Sequence, residues 1–292
     1  MALRPSGFPK ARRQLLRHLE DPRAPLREKT GLDNQAGLDR LASHLRAAEM
    51  YWVAADMAAL AVSSGSQLAA VRWATADRPS PCGLLWWDGG IGSVDFQGTP
   101  LPVDGVTWGP APDETCAVSW LVDRRRLADA ATTTGYELVV EGVPPLVPMW
   151  SASLPVTADP VSMAELPPEA PTTAVGALAA AWLLMQQPML IDRTHHRADG
   201  PTRRAHARDG LPDPEVTVVD LRRQYVPQDQ DPDANEGEGR RYRHRWVVSG
   251  HWRNQACGPE LSERRQTWIP SYVKGPEGAP LLSTERVNVW RR

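Results

Sequence analysis

The chain has 292 residues, 41% of them apolar and 23% charged, a composition that excludes global disorder and leaves room for one large domain or two ordinary ones. Its formal charge of −2 hides an asymmetry: residues 240–292 hold eleven Arg or Lys against four Asp or Glu, a net +7, which leaves an acidic body of −9 before them. Three widely separated cysteines, Cys82, Cys116 and Cys257, follow no C-x-x-C or Cys/His spacing, so they argue against a disulfide framework or a zinc site and fit a reducing cytoplasm.

Residues 1–34 are basic, punctuated by proline and without the apolar stretch of a secretory signal; a basic arm, frayed or forming a short surface helix, is expected. Helical periodicity starts at Leu38 and continues through Leu41, Ala42, Leu45 and Ala48. A short strand at 50–53 and a helix at 56–62, ending near Gly65, come next, with Asp56 placed where the helix dipole favours an acid. Runs at 83–87, 103–108, 116–122, 136–140 and 146–154 are apolar, β-branched or aromatic and bounded by Gly, Pro and Asp, so they read as strands. Little room separates them for crossover helices, which predicts an antiparallel or mixed sheet. Between the first two, Asp88-Gly89-Gly90-Ile91-Gly92 lacks the Lys-Ser/Thr and the following helix of a phosphate loop and reads as a hairpin turn.

Residues 157–171 are rich in proline and acid and read as a semi-rigid linker. The long apolar run at 173–191 falls short of the roughly 20 apolar residues of a membrane span and is interrupted by Gln186, Gln187 and Pro188, so a core helix ending near the proline is expected. After it, His195, His196 and His206 lie among Arg193, Arg197, Arg203, Arg204 and Arg208 without the spacing and glutamate of zinc hydrolases. This stretch reads as a second basic patch or as an exposed helix end. A strand at 216–225 and an acidic loop at 227–239 that contains no base follow.

Near the C-terminus, strict alternation places Tyr242, His244, Trp246, Val248 and Trp252 on one strand face and Arg241, Arg243, Arg245, Val247, His251 and Arg253 on the other. Short strands at 267–269 and 286–290 are joined through a turn-rich segment at 274–278. The expected fold class is α+β: N-terminal helices with an antiparallel or mixed sheet over 35–156, then a core helix and a small antiparallel β domain, basic in character, over 172–292.

Arginines at alternate strand positions stand about 6.6 to 6.8 Å apart, near the phosphate spacing of an extended nucleic-acid strand, and guanidinium forks bind phosphate in bidentate fashion. Arg241, Arg243, Arg245, Arg253, Arg264, Arg265 and Lys274 are therefore the candidate contacts for DNA or RNA. Arginine outnumbers lysine thirty to three and twelve Trp accompany two Phe, the mark of GC-rich coding, so the local clustering carries this reading and the arginine count does not. Trp246, Trp252, Trp268 and Trp290 read as core aromatics or base-stacking platforms, with Tyr272 the more exposed ring. Two alternatives stay open. His251, Arg253, Tyr272 and Lys274 supply the base, cations and acid of a metal-free, toxin-like ribonuclease. An acidic protein partner also suits the basic end, and the acidic loop can neutralise it in cis. Glu49, Asp56, Asp88, Asp104 and Asp123 share no metal-ligand spacing; neither a cofactor, a metal nor a membrane partner is expected.

The segments MYWVAADMAALA at 50–61, PSPCGLLWWD at 79–88 and GHWRNQ at 250–255, with WIP at 268–270 and KGPE at 274–277, resemble an uncharacterised family common in actinobacterial genomes, their plasmids and phages. The resemblance runs through most of the chain. It implies an origin, with members on mobile elements, and brings neither an activity nor a residue role.

Overall fold

The computed structural model describes residues 3–21, 23, 35–68, 71–96, 98–112, 114–133, 142–166, 170–222 and 246–274. They belong to two compact units, residues 1–223 and 224–292. The larger unit contains, in order, α1 (Phe8–Glu20), α2 (Gln35–Ala47), β1 (Glu49–Val53), α3 (Ala55–Gly65), β2 (Arg72–Trp73), β3 (Gly83–Trp87), β4 (Ser93–Phe96), β5 (Thr99–Pro102), β6 (Gly105–Pro110), β7 (Cys116–Asp123), α4 (Arg124–Thr133), β8 (Leu146–Leu154), β9 (Val161–Ser162), α5 (Thr172–Met185), β10 (Ile191–Arg197), α6 (Gly200–Arg208) and β11 (Glu215–Leu221). The smaller unit contains β12 (Trp246–Val248), β13 (His251–Cys257), β14 (Glu263–Ile269) and β15 (Tyr272–Lys274).

Seven strands form a mixed sheet in the order β10-β11-β1-β3-β6-β7-β8. β1 runs parallel to both β11 and β3, the other pairings being antiparallel, and α3 lies on the crossover that a parallel β1–β3 pair requires. The fold class is thus α+β, as the sequence predicts. Alternation sends Met50, Trp52, Leu84 and Trp86 to one face, where they meet Phe8, Leu15, Leu16, Leu38, Leu41 and Leu45 of α1 and α2 in a single apolar cluster. Phe8 packs edge-on against Trp52 with ring centres 5.8 Å apart. Tyr51 faces the other way and stacks on Trp108, which meets Trp182 of α5 at 5.3 Å; Trp182 in turn meets Trp73 at 5.6 Å. On this side α3 and α5 cross backbone to backbone, since a Cβ added to Gly65 would lie 2.6 Å from the Gly176 carbonyl carbon. α5 is buried from Ala174 to Met185 because it is apolar all round. Among the described residues no helix is long and apolar enough to cross a membrane.

The structure departs from the sequence reading in three places. First, residues 8–20 of the expected arm form α1, whose Phe8, Ala11, Leu15, Leu16 and Leu19 are buried; helical spacing of these apolar residues wins over the cations between them. Second, the boundary between units falls after residue 223 instead of at 157–171. α5 fills the core under the main sheet, and β10 and β11 extend that sheet, so the chain after the proline-rich segment still belongs to the first body. That segment is itself tied down: Val161 and Ser162 pair with Trp73 and Arg72, and Leu166 and Ala170 are buried. Third, 192–197 form an edge strand whose side chains are all exposed. A polar sequence blunts a sheet edge, and for the same reason carries no apolar strand signal. The predicted strands at 136–140 and 286–290 and the acidic loop at 227–239 lie outside the described residues.

Candidate nucleic-acid interface

The described part of the smaller unit consists of two antiparallel ladders. β13 pairs with β14, from His251 opposite Ile269 and Trp252 opposite Trp268 to Cys257 opposite Glu263; β12 pairs with β15, placing Trp246 opposite Lys274 and Val248 opposite Tyr272. The alternation read over 242–253 therefore does not describe one strand. It breaks at Ser249 and Gly250, where a Cβ on Gly250 would fall 2.6 Å from the Trp268 ring. The backbone passes against that indole, a closeness that glycine permits.

Across the β13–β14 hairpin the two-residue period sorts the side chains by face. Trp252, Asn254 and Ala256 share one face with Arg264, Gln266 and Trp268. Its two indoles meet edge to face at 5.4 Å, Trp268 buried and Trp252 half-buried, so they act as local core. The opposite face carries His251, Arg253, Gln255 and Cys257 with Glu263, Arg265, Thr267 and Ile269. His251, Arg253 and Arg265 are exposed on it. Arg253 stands opposite Thr267 and Arg265 opposite Gln255, making the two arginines diagonal neighbours with backbones about 7 to 8 Å apart. The His251 Nδ1–H donates to the Ser249 carbonyl at 3.1 Å, which leaves Nε2 as the acceptor of the neutral ring. With Arg253 and Arg265 against the single acid Glu263, the face is net cationic and carries several donors, suited to phosphate oxygens.

Of the seven predicted contacts, Arg253 and Arg265 come together on this face. Arg264 belongs to the indole face, because adjacent residues of a strand point to opposite sides. Lys274 lies on β15, in the other ladder. Arg241, Arg243 and Arg245 fall outside the described residues. The four residues of the ribonuclease reading are divided, His251 and Arg253 on β13 and Tyr272 and Lys274 on β15, and Tyr272 is half-buried. Gln255 and Thr267 were missed as members of the basic face; pairing the two strands across the turn at 258–262 is the signal that finds them.

The second basic stretch, 192–208, is largely paired within the larger unit. The Arg193 guanidinium donates to the Met185 carbonyl, His195 Nδ1 lies 2.9 Å and Arg197 Nε 3.7 Å from the Glu215 carboxylate, and Arg203 Nε lies 3.0 Å from Asp213. His206 is fully buried: its Nε2–H donates to the Pro9 carbonyl at 3.1 Å, and Nδ1 accepts from the Arg12 guanidinium at 3.3 Å. Burial, followed by the Arg12 charge, holds its pKa below the ordinary histidine value. Arg204 and Arg208 remain as exposed cations, too few for a continuous patch. Among the described residues no three His, Cys, Asp or Glu gather in a way that holds a metal ion.

No family model matches the chain, and no curated protein matches it either. Among solved structures, the chain is similar to a crystal structure of AcrVA2 over 91% of this chain and 93% of that one, at 13% identity and a TM-score of 0.40. At that score the likeness transfers neither fold nor function.

Proposed function

We propose that the chain binds nucleic acid without strong sequence preference through the smaller unit. The observation that carries this reading is the exposed face of the β13–β14 hairpin, where Arg253 and Arg265 stand diagonally beside His251, Gln255 and Thr267. Guanidinium forks at this spacing suit successive phosphates, contacts that position a nucleic acid without carrying sequence information. Lys274 and the described residues' neighbours Arg241, Arg243 and Arg245 extend the same proposal along the chain. The motifs shared with a family found on plasmids and phages suggest an accessory role for a mobile element, and the unpaired Cys82, Cys116 and Cys257 are compatible with the cytoplasm.

Fluorescence anisotropy with labelled single- and double-stranded DNA and RNA tests the proposal. Affinity is expected to fall linearly with salt on logarithmic axes, by a slope of about 0.9 per phosphate contact on duplex DNA and about 0.7 on single strands. A protein that shows no salt-sensitive binding to any of the four probes ends the proposal. RNA cleavage that survives EDTA and disappears in His251→Ala would replace it with the ribonuclease reading, and capture of an acidic protein after nuclease treatment with the protein-partner reading.

A further inference from the structure

Where β7 runs into α4, the larger unit forms a recess of about 210 Å3 walled by Arg4, Ser6, Asp123, Arg124 and Arg125, among others. Behind it, the Asp123 amide is tied to a buried carboxylate. Asp104, 3% exposed at its side chain, takes the Arg126 guanidinium as an ion pair and accepts the Asp123 amide at 2.8 Å. Gly90, at φ +74°, passes so close that a Cβ there would strike both Arg126 and Asp104. Arg126 is therefore neutralised. Arg4, Arg124 and Arg125 make no ion pair among the described residues. Arg124 is instead held by donating to the Val143 carbonyl at 2.6 Å, and the Asp123 carboxylate is engaged by the Arg125 amide at 2.8 Å.

Three arginines and one acid, Asp123, line this concave site, giving it a net positive charge that an anion would offset. We propose that this recess binds a phosphate group, with Arg4 and Arg125 as guanidinium donors, Arg124, already anchored on the Val143 carbonyl, as a third and the Ser6 hydroxyl as a further donor. The volume is below the roughly 300 to 1,000 Å3 of pockets that enclose whole small molecules, so it takes the phosphate and leaves its carrier outside. The site belongs to the larger unit and does not depend on the hairpin reading. Its phosphate comes either free, as orthophosphate, or from the 5′ end of a nucleic acid.

Thermal unfolding of the full chain in sodium phosphate and in sodium chloride of equal ionic strength gives the first readout. Saturating phosphate is expected to raise Tm by about 2 to 4 °C, an effect lost in Arg4→Gln/Arg125→Gln and kept in Arg253→Glu/Arg265→Glu. Arg4→Gln alone, at an exposed side chain, weakens the response and serves if the double variant does not fold. Anisotropy with 5′-phosphorylated and 5′-hydroxyl oligonucleotides then separates the sources. A preference of about tenfold for the phosphorylated probe, abolished by the recess substitutions, assigns the phosphate to a nucleic-acid end; equal affinities beside a retained Tm response assign it to orthophosphate. The inference is overturned if phosphate gives no shift beyond chloride, or if the shift survives in both recess variants.

Discussion

The Arg12 guanidinium is 1% exposed and has a histidine and a backbone carbonyl as partners where a carboxylate would be usual. Burial lowers its pKa to about 10, so it stays charged at neutral pH, and its charge adds to burial in holding the His206 pKa below the ordinary histidine value. Arg13 adds to that pressure, while Asp209 is occupied by Arg13 and Arg17. His44, buried against Pro110 and near Arg40, is also held below its ordinary value, chiefly by desolvation. Unfolded, both imidazoles take up protons near pH 6.5; folded, they resist. The unfolded chain therefore binds more protons as pH falls below that point, and stability that is complete above it is lost on acidification. The urea midpoint should be lower at pH 5.5 than at pH 7.5, with a smaller difference in His206→Gln; an equal or higher midpoint at pH 5.5 contradicts this. Asp104 makes the opposite contribution. Burial raises its carboxyl above the usual range despite the Asp123 amide and Arg126. Arg126→Leu should cost about 1 to 3 kcal/mol at pH 7 by leaving that carboxylate without its countercharge. The deficit should shrink as the pH is lowered, because acidification favours the neutral carboxyl, and urea midpoints that match the wild type at every pH would dispose of the account.

Among the elements, α5 and β3 were legible because an uninterrupted apolar run has few places to go but the interior. α1 was obscured by Lys10, Arg12, Arg13 and Arg17, which drew attention to charge while Phe8, Leu15 and Leu19 marked the buried face. β10 was hidden for a different reason: an edge strand of Arg, His, Thr and Asp satisfies its backbone on β11 and owes little to side-chain burial. In the hairpin, the opposition of His251 and Arg253 to Trp252 was readable from period two, whereas the break at Gly250 depends on a tertiary contact with Trp268 that no local pattern encodes. The α3–α5 crossing gives this scale its sharpest test. Gly65→Ala places a methyl group 2.6 Å from backbone atoms of α5, while the reciprocal Gly176→Ala reaches its nearest neighbour at 3.0 Å. Overpacking should cost Gly65→Ala about 1 to 3 kcal/mol and Gly176→Ala less. Chemical denaturation ranks the two, and the reverse order would show that the helices shift apart freely.

At the scale of the whole molecule, the charge asymmetry seen in the sequence corresponds to two bodies of different character. The larger unit buries its core on both faces of a seven-stranded sheet and sets His195, Arg197 and Arg203 of the 192–208 stretch against the carboxylates of Glu215 and Asp213. The smaller unit exposes Arg253 and Arg265 on one side of a hairpin whose other side is closed by indoles. Arg264 supplies an internal control, having the same charge, an adjacent position and the opposite face. The direct measurement is the salt dependence of nucleic-acid binding in the wild type, Arg253→Glu/Arg265→Glu and Arg264→Glu. The double variant should lose affinity and flatten the slope by about 0.9 for each phosphate contact removed on duplex DNA, with Arg264→Glu close to wild type. Equal losses in the two variants, or no salt-dependent binding by the wild type, would contradict the assignment of the hairpin face as the nucleic-acid interface.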